Sequence, residues 1–225
     1  MKHIIKSNLY LIFWADKYFG VAVLAMLIAP VMILQGHYSA YAIGLSLSVF
    51  FALLKFNSTV TSCKHDRINA AMPVEKKDIV TSRFITAAQI IGMFTLAAIL
   101  VSVWANFKKV IYESDKMDYA LRKVIIHIST PIDDLIAGLI FGILLSVIIS
   151  SLYLYLWSKF EHDKYNLYFT MLAIIFTFAL KPLLSGMTAA GVSMIFVNVS
   201  MLIVAVPIVY FIYKKSLEAF KIREF

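Results

Sequence analysis

Side chains suited to polar chemistry are concentrated between Lys55 and Arg83, in a segment that separates two long apolar runs. The segment contains six basic and three acidic residues: Lys55, Lys64, Arg67, Lys76, Lys77 and Arg83, with Asp66, Glu75 and Asp78. Asp66 is a suitable N-cap for a short helix that Pro73 would end. We therefore predict a helix–proline–helix elbow whose second helix begins near Glu75 and continues into the next apolar run. A stiff charged loop of this kind can receive force from a soluble partner.

Catalytic and metal-binding patterns are not found in the sequence. The five histidines lie outside the predicted apolar cores of the spans, and no two have the i, i+4 spacing of a helical zinc site: His3, His37, His65, His127 and His162. A phosphate-binding loop ending in Gly-Lys-Ser or Gly-Lys-Thr is lacking, and the single Cys63 excludes an internal disulfide and a thiolate metal cluster. We expect no catalytic residue, metal or cofactor on this chain. An intramembrane enzyme or ion-coupled carrier is disfavoured, because intramembrane carboxylates and facing histidines are lacking.

Lys181 is the one ionisable residue with apolar sequence on both sides, and an intramembrane charge is a functional hypothesis by default. It follows about 15 residues of apolar helix, which at about 1.5 Å per residue span more than 20 Å. Its long side chain can therefore extend to the outer interface. The sequence leaves three interpretations: such snorkelling, a role as an outer gate, or ion coupling.

Other polar residues near or within the apolar runs have structural interpretations. Thr130-Pro131-Ile132-Asp133 is a helix-start signal, with Thr130 as N-cap. Asp133 and Asp134 are favoured there by the helix dipole, which makes an ion site unnecessary. Asn198 is interpreted as the donor or acceptor of an interhelical hydrogen bond.

Composition makes the bilayer the solvent of this protein. Of 225 residues, 61% are hydrophobic and 15% charged, whereas soluble domains are about one-quarter charged. Runs without Asp, Glu, Lys or Arg cover 18–54, 84–107, 135–158, 165–180 and 182–213. A spanning helix needs about 20 apolar residues, and the first run breaks at Gln35-Gly36-His37. We predict an all-α integral membrane protein, a single domain over 1–225, with six spans at about 18–34, 38–54, 84–105, 132–157, 165–184 and 190–213.

Basic residues orient these spans. Segments 1–17, 55–83, 158–166 and 214–225 together hold 15 of the 21 basic residues. Because Lys and Arg in short loops stay in the cytoplasm, we predict that both termini and the 55–83 loop are cytoplasmic. The net charge of +8 is then an orientation signal with attraction for anionic lipid, and nucleic-acid binding is not indicated.

Two amphipathic segments flank the spans. Residues 1–17 place Ile5, Leu9, Ile12 and Phe13 at helical spacing, which favours a helix in the inner interface over an early start of the first span. Residues 108–130 place Met117, Leu121, Val124, Ile125 and Ile128 on one helical face. We predict an outer amphipathic helix between spans three and four, lying on lipid or covering the mouth of the bundle.

Small residues recur every fourth position in two spans. The second span has Ala40, Gly44, Ser48 and Ala52, and the fourth has Gly138, Gly142, Ser146 and Ser150. Small residues at this spacing allow membrane helices to approach closely. Both stripes are therefore predicted packing seams, within one chain or between two.

The run Met72-Pro73-Val74-Glu75-Lys76-Lys77-Asp78-Ile79-Val80, followed by Ser82-Arg83-Phe84, resembles the signature of type 2 ABC exporter permeases of the short six-span bacterial branch. That family commonly has Leu-Pro-Val-Ser, basic residues, an acidic residue, Ile-Val and a Lys-aromatic pair. Glu75 stands where Ser is usual, and Arg83 where Lys is usual. Within the family, the chain looks most like permease subunits of staphylococcal phenol-soluble modulin exporters.

The resemblance implies a permease subunit in the bacterial cell membrane that moves amphipathic peptides or other membrane-partitioning molecules outward. Two permease chains, identical or paralogous, would pair, and each would dock on a cytoplasmic ATPase that holds the ATP and Mg. The implied contact with the ATPase comprises Asp66, Arg67, Ala70, Met72, Pro73, Val74, Glu75 and Lys76. The alternative is an immunity or peptide-binding membrane protein without active transport.

Overall fold

The computed structural model describes residues 4–6, 38–62, 75–107, 132–160, 164, 167–171 and 191–222. These parts of the chain are helical, apart from a few residues at helix ends, and contain no strand. Four long helices run from Tyr38–Ser62 (α1), Lys76–Phe107 (α2), Ile132–Lys159 (α3) and Met194–Ile222 (α4). Short helical pieces occupy 4–6 and 167–171. The predicted all-α class is thus confirmed for the described residues.

Three of the helices are long and apolar enough to cross a bilayer, at Lys76–Leu100, Ile136–Lys159 and Met194–Ile222. Helix α1 has a shorter apolar stretch, Ala42–Leu54. The chain is therefore a membrane protein by the length and composition of its described helices. The predicted span 18–34 and the outer segment 108–130 lie outside the described residues. The structure describes only residues 4–6 of the predicted interfacial helix 1–17 and residues 167–171 of the predicted span 165–184.

Contacts along the bundle fix the relative directions of the helices. Ala42 of α1 meets Gly142 of α3, and the Leu53 carbonyl of α1 accepts a hydrogen bond from the Tyr153 hydroxyl at 3.2 Å. Contact positions thus advance together along α1 and α3, so these two helices are parallel. Contacts between α3 and α4 advance together as well, from Asn198 with Ala137 to Phe220 with Trp157.

Helix α2 runs opposite to the other three. Its Arg83 lies over the Trp157 ring near the end of α3, while its Ala98 packs with Leu139 near the start of α3. One end of the bundle therefore combines the first turns of α2 with the C-terminal parts of α1, α3 and α4, and we call it the charged end. The opposite end contains the first turns of α1, α3 and α4.

The core lies mainly between α1, α2 and α3, whereas α4 is peripheral. Large side chains such as Val49, Leu53, Ile90 and Leu145 are almost fully buried. In contrast, α4 exposes many apolar side chains, among them Ile195, Phe196, Ile203 and Tyr210. A bilayer tolerates such exposure, because lipid chains are as apolar as the side chains themselves.

Hydroxyl groups inside the apolar bundle are mostly satisfied by their own helices. Ser46, Ser48, Ser82, Thr86, Thr95, Ser146, Ser151, Ser158 and Ser216 donate to carbonyls three or four residues earlier. This bonding matters in lipid, where no water is present to accept the hydroxyl proton. It lets these polar residues remain in the packed faces.

Those residues of the small-residue stripes whose burial the structure describes are buried, and one close approach is resolved at Gly142. A Cβ atom added at Gly142 would lie 3.1 Å from the Cα of Ala42 and 3.3 Å from the Ala42 carbonyl oxygen. Gly44, Ser48, Gly138 and Ser146 are also buried. The seam at Gly142 joins α1 and α3 of the same chain, a choice that the sequence left open.

Candidate functional site

Charge is distributed unequally along the four helices. Every Lys and Arg in α1–α4 falls toward the charged end: Lys55, Lys76, Lys77, Arg83, Lys159, Lys214, Lys215 and Lys221. Asp78 and Glu218 lie at the same end, whereas Asp133 and Asp134 begin α3 at the opposite end. The candidate site is therefore the charged end, where α2 emerges from the segment predicted to contact a partner.

Glu75 occupies the N-cap position of α2. Its carbonyl accepts hydrogen bonds from the backbone N–H groups of Asp78 at 2.9 Å and Ile79 at 3.4 Å. Asp78 falls in the first turn, where a carboxylate is favoured by the helix dipole. From Glu75 the helix continues without interruption through Phe107, so one rigid element joins the charged segment to the bundle.

Replacing Glu75 by serine is expected to stabilise the first turn of α2 by about 0.5–1 kcal/mol, because a serine hydroxyl caps free N–H groups better than a glutamate. The measurement is amide hydrogen exchange of Asp78 and Ile79, which should slow. Lys77→Ser is the matched control, since Lys77 is exposed and already inside the first turn. Equal exchange rates in the two variants would contradict the N-cap assignment.

The first turns of α2 are attached to the last turns of α4. The Lys76 ammonium donates a hydrogen bond to the Lys221 carbonyl oxygen at 3.1 Å, so it satisfies a free acceptor at the helix end. The Thr81 and Tyr213 hydroxyl oxygens are 2.9 Å apart and share a hydrogen bond. The Phe84 ring meets the Tyr213 ring edge-on at a centroid distance of 5.1 Å. Movement of this part of α2 would therefore act directly on α4.

Arg83 is the buried cation of this site, with a side chain only 3% exposed. Its guanidinium carbon lies 4.6 Å from the centre of the Phe56 ring and 4.9 Å from the centre of the Trp157 ring. Trp157 in turn stacks on Phe220 at 5.1 Å. Through these rings Arg83 connects α2 to α1 and α3 directly, and to α4 through Trp157.

Electrostatics explain why aromatic rings surround this arginine. Removing a charged group such as a guanidinium from water is costly. The electron-rich faces of aromatic rings offset part of that cost, by up to about 2 kcal/mol where the cation is desolvated. The arrangement gives α2 a fixed attachment to the bundle next to the charged segment.

Two of the eight residues proposed for the coupling contact are described, Glu75 and Lys76, and both side chains are exposed. Asp66, Arg67, Ala70, Met72, Pro73 and Val74 lie outside the described residues, as does the candidate gate residue Lys181. The described residues include no group of three or more His, Cys, Asp or Glu that could hold a metal ion.

Sequence reasoning missed Arg83, Trp157 and Tyr213 as parts of this site. Arg83 was counted among the basic residues of the 55–83 segment and noted as a departure from the family motif, although a signal for its burial was present. It directly precedes the charge-free run 84–107, where a cation must reach water or be enclosed by the protein. No comparable signal in the sequence identifies its aromatic neighbours, which come from α1 and α3.

Asn198 was predicted to form an interhelical hydrogen bond, and this is confirmed. Its side-chain nitrogen donates to the Ala137 carbonyl oxygen of α3 at 3.1 Å. The residue lies in the second turn of α4, far along the helix from the charged end. It therefore belongs to a different part of the molecule from the Arg83 cluster.

Comparison with protein-family models, with curated proteins and with solved structures found no match to this chain. The function must therefore be argued from the residues and their geometry.

Proposed function

We propose that this chain is a permease subunit of an ATP-driven bacterial exporter. It would move amphipathic peptides or other membrane-partitioning molecules outward, with ATP and Mg bound by a separate cytoplasmic ATPase. The observation that carries the proposal is α2, one uninterrupted helix that begins at the charged segment and is attached to α1, α3 and α4 in its first turns.

A transport subunit needs such an element, because hydrolysis occurs outside the membrane and the work is done inside it. Force applied before Glu75 would pass along α2, since a helix resists bending. It would reach α4 through Lys76, Thr81 and Phe84, and α1 and α3 through Arg83. Several attachments at once favour movement of α2 together with its neighbours, a shift of packed helices.

The distribution of basic residues supports a cytoplasmic position for the charged end, because Lys and Arg concentrate on that side of a membrane. A cytoplasmic ATPase would then face the end of the bundle where α2 starts. The likeness of residues 72–84 to the type 2 permease signature supports the same assignment. The second permease, identical or paralogous, belongs to this proposal.

The test is co-purification from native cells. A tagged chain, extracted in mild detergent, should recover an ATPase with nucleotide-binding motifs, and a variant with Asp66→Lys and Glu75→Lys should lose it. Glu218→Lys is the matched control, because Glu218 lies at the same end but pairs with Lys215 at 2.8 Å, outside the proposed contact. This control should still recover the ATPase.

Two results would contradict the proposal. Recovery of no ATPase with the natural sequence would favour the passive alternative, a membrane protein that binds toxic peptides without transporting them. Equal loss in the Glu218→Lys control would show a general dependence on charge at this end instead of a contact in the loop.

A further inference from the structure

A pocket of about 420 Å³ lies between the last turns of α3 and α4, at the charged end. Its lining combines polar and apolar side chains: Tyr155, Lys159, Lys215, Glu218, Ala219 and Ile222. The two lysines come from different helices, so they line one pocket only because α3 and α4 meet here. Both lysines are exposed. A ligand that enters the pocket can therefore reach both ammonium groups.

The position of the pocket along the helices matches the depth of lipid headgroups. Lys159 is the first charged residue after the charge-free run 135–158, and Lys215 is the second residue after the run 182–213. Tyr155, one turn before Lys159, belongs to a residue type that concentrates at the membrane surface. The two ammonium groups therefore lie where the hydrocarbon core ends.

The pocket has a net positive charge. The Lys159 ammonium lies 5.7 Å from the centre of the Tyr155 ring and 5.3 Å from the centre of the Phe160 ring, and these contacts orient it without neutralising it. Glu218 is the one carboxylate in the lining, and it pairs with Lys215 at 2.8 Å. Because an exposed ion pair contributes little, an anionic ligand can compete for Lys215.

An apolar stripe on α4 continues from the pocket toward the middle of the membrane. Four exposed residues, at intervals of four, three and four positions, share one helical face: Val204, Ile208, Phe211 and Lys215. The Lys215 ammonium lies 5.9 Å from the centre of the Phe211 ring. From 204 to 215 the helix rises about 16 Å, which is about half of a hydrocarbon core of about 30 Å. The stripe is therefore as long as one leaflet is deep.

We propose that this pocket binds an anionic phospholipid of the phosphatidylglycerol type: Lys159 and Lys215 hold its phosphate, and an acyl chain lies along the apolar stripe of α4. The net positive charge favours such a headgroup over a zwitterionic one, which brings its own cation. The stripe favours a lipid over a soluble phosphate, which has no apolar part. This assignment depends on local charge and shape, so it holds independently of the ATPase.

The test is native mass spectrometry of the full chain in mild detergent, titrated with phosphatidylglycerol or phosphatidylcholine of identical acyl chains. The measured quantity is the dissociation constant of the first bound lipid. The natural protein should bind phosphatidylglycerol more tightly. Lys159→Gln and Lys215→Gln should each weaken phosphatidylglycerol binding about fivefold, the contribution of one basic residue near an anionic membrane. Neither should change phosphatidylcholine binding comparably.

Two further variants test the assignment of the lysines. Glu218→Gln should strengthen phosphatidylglycerol binding, because it removes the carboxylate that pairs with Lys215. Lys214→Gln is the matched control, since Lys214 is exposed beside Lys215 but does not line the pocket. Its affinity for phosphatidylglycerol should equal that of the natural protein. Equal weakening in Lys214→Gln and Lys215→Gln would overturn the proposal, as would equal affinity of the natural protein for the two lipids.

A competitor distinguishes the lipid from a soluble source of the same chemistry. Glycerol phosphate, added at matched ionic strength, should not displace phosphatidylglycerol, and displacement would contradict the role of the apolar stripe. A double variant, Lys159→Gln with Lys215→Gln, that kept its lipid selectivity but lost the ATPase would assign these lysines to a protein contact and overturn the lipid site. Failure of the lipid proposal would leave the co-purification result for Asp66 and Glu75 unaffected.

Discussion

Replacing Arg83 by alanine is expected to lower the free energy of unfolding by about 3 kcal/mol, the range observed when a large buried side chain is truncated. The change removes the group that contacts both the Phe56 and the Trp157 ring, and it leaves a cavity where α1, α2 and α3 meet. It also removes two cation–ring contacts in a desolvated setting. The measurement is reversible unfolding in mixed micelles, followed by far-UV circular dichroism.

Three further variants identify which property of Arg83 causes the loss of stability. Arg83→Lys keeps the charge but loses the planar guanidinium, and we expect about 1 kcal/mol of destabilisation. Arg83→Met keeps most of the side-chain volume without the charge. The difference in the free energy of unfolding between Arg83→Met and Arg83→Ala therefore measures the contribution of packing alone. Lys77→Ala, at an exposed site on the same helix, should stay within about 0.5 kcal/mol of the natural protein. If Arg83→Ala is as stable as Lys77→Ala, the buried cluster does not hold the helices together.

Replacing Gly142 by alanine is expected to cost about 1–3 kcal/mol, the usual penalty of overpacking. The new methyl group would lie 3.1 Å from the Cα of Ala42, so the backbone of α1 must move away from α3. Gly142→Leu should cost more and separate the two helices. Unfolding in mixed micelles measures both changes.

Gly92 provides the control for this experiment. It lies in α2, and a Cβ atom added there meets no atom within 4 Å. Gly92→Ala should therefore be neutral or slightly stabilising, because alanine is the better helix former. A comparable loss of stability in Gly92→Ala and Gly142→Ala would show that α1 and α3 do not approach closely at Gly142.

The helical class and the membrane environment follow from the sequence alone. An apolar run of 20 or more residues must satisfy its backbone hydrogen bonds internally in lipid, and in a chain of this pattern only helices do so. The same reasoning placed a helix from about Glu75 into the third predicted span, and α2 begins at Lys76. Small residues at every fourth position similarly marked close-packing faces before any neighbour was known.

The sequence could not assign neighbours to those faces. Helical periodicity shows which side of a helix is packed, but the contacting residues are distant in the chain and depend on how the helices associate. The pairing of Gly142 with Ala42 and the contacts of Arg83 with Phe56 and Trp157 were therefore decided by tertiary structure. So was the partner of Asn198, because its amide reaches the Ala137 carbonyl only when α3 and α4 meet at this point.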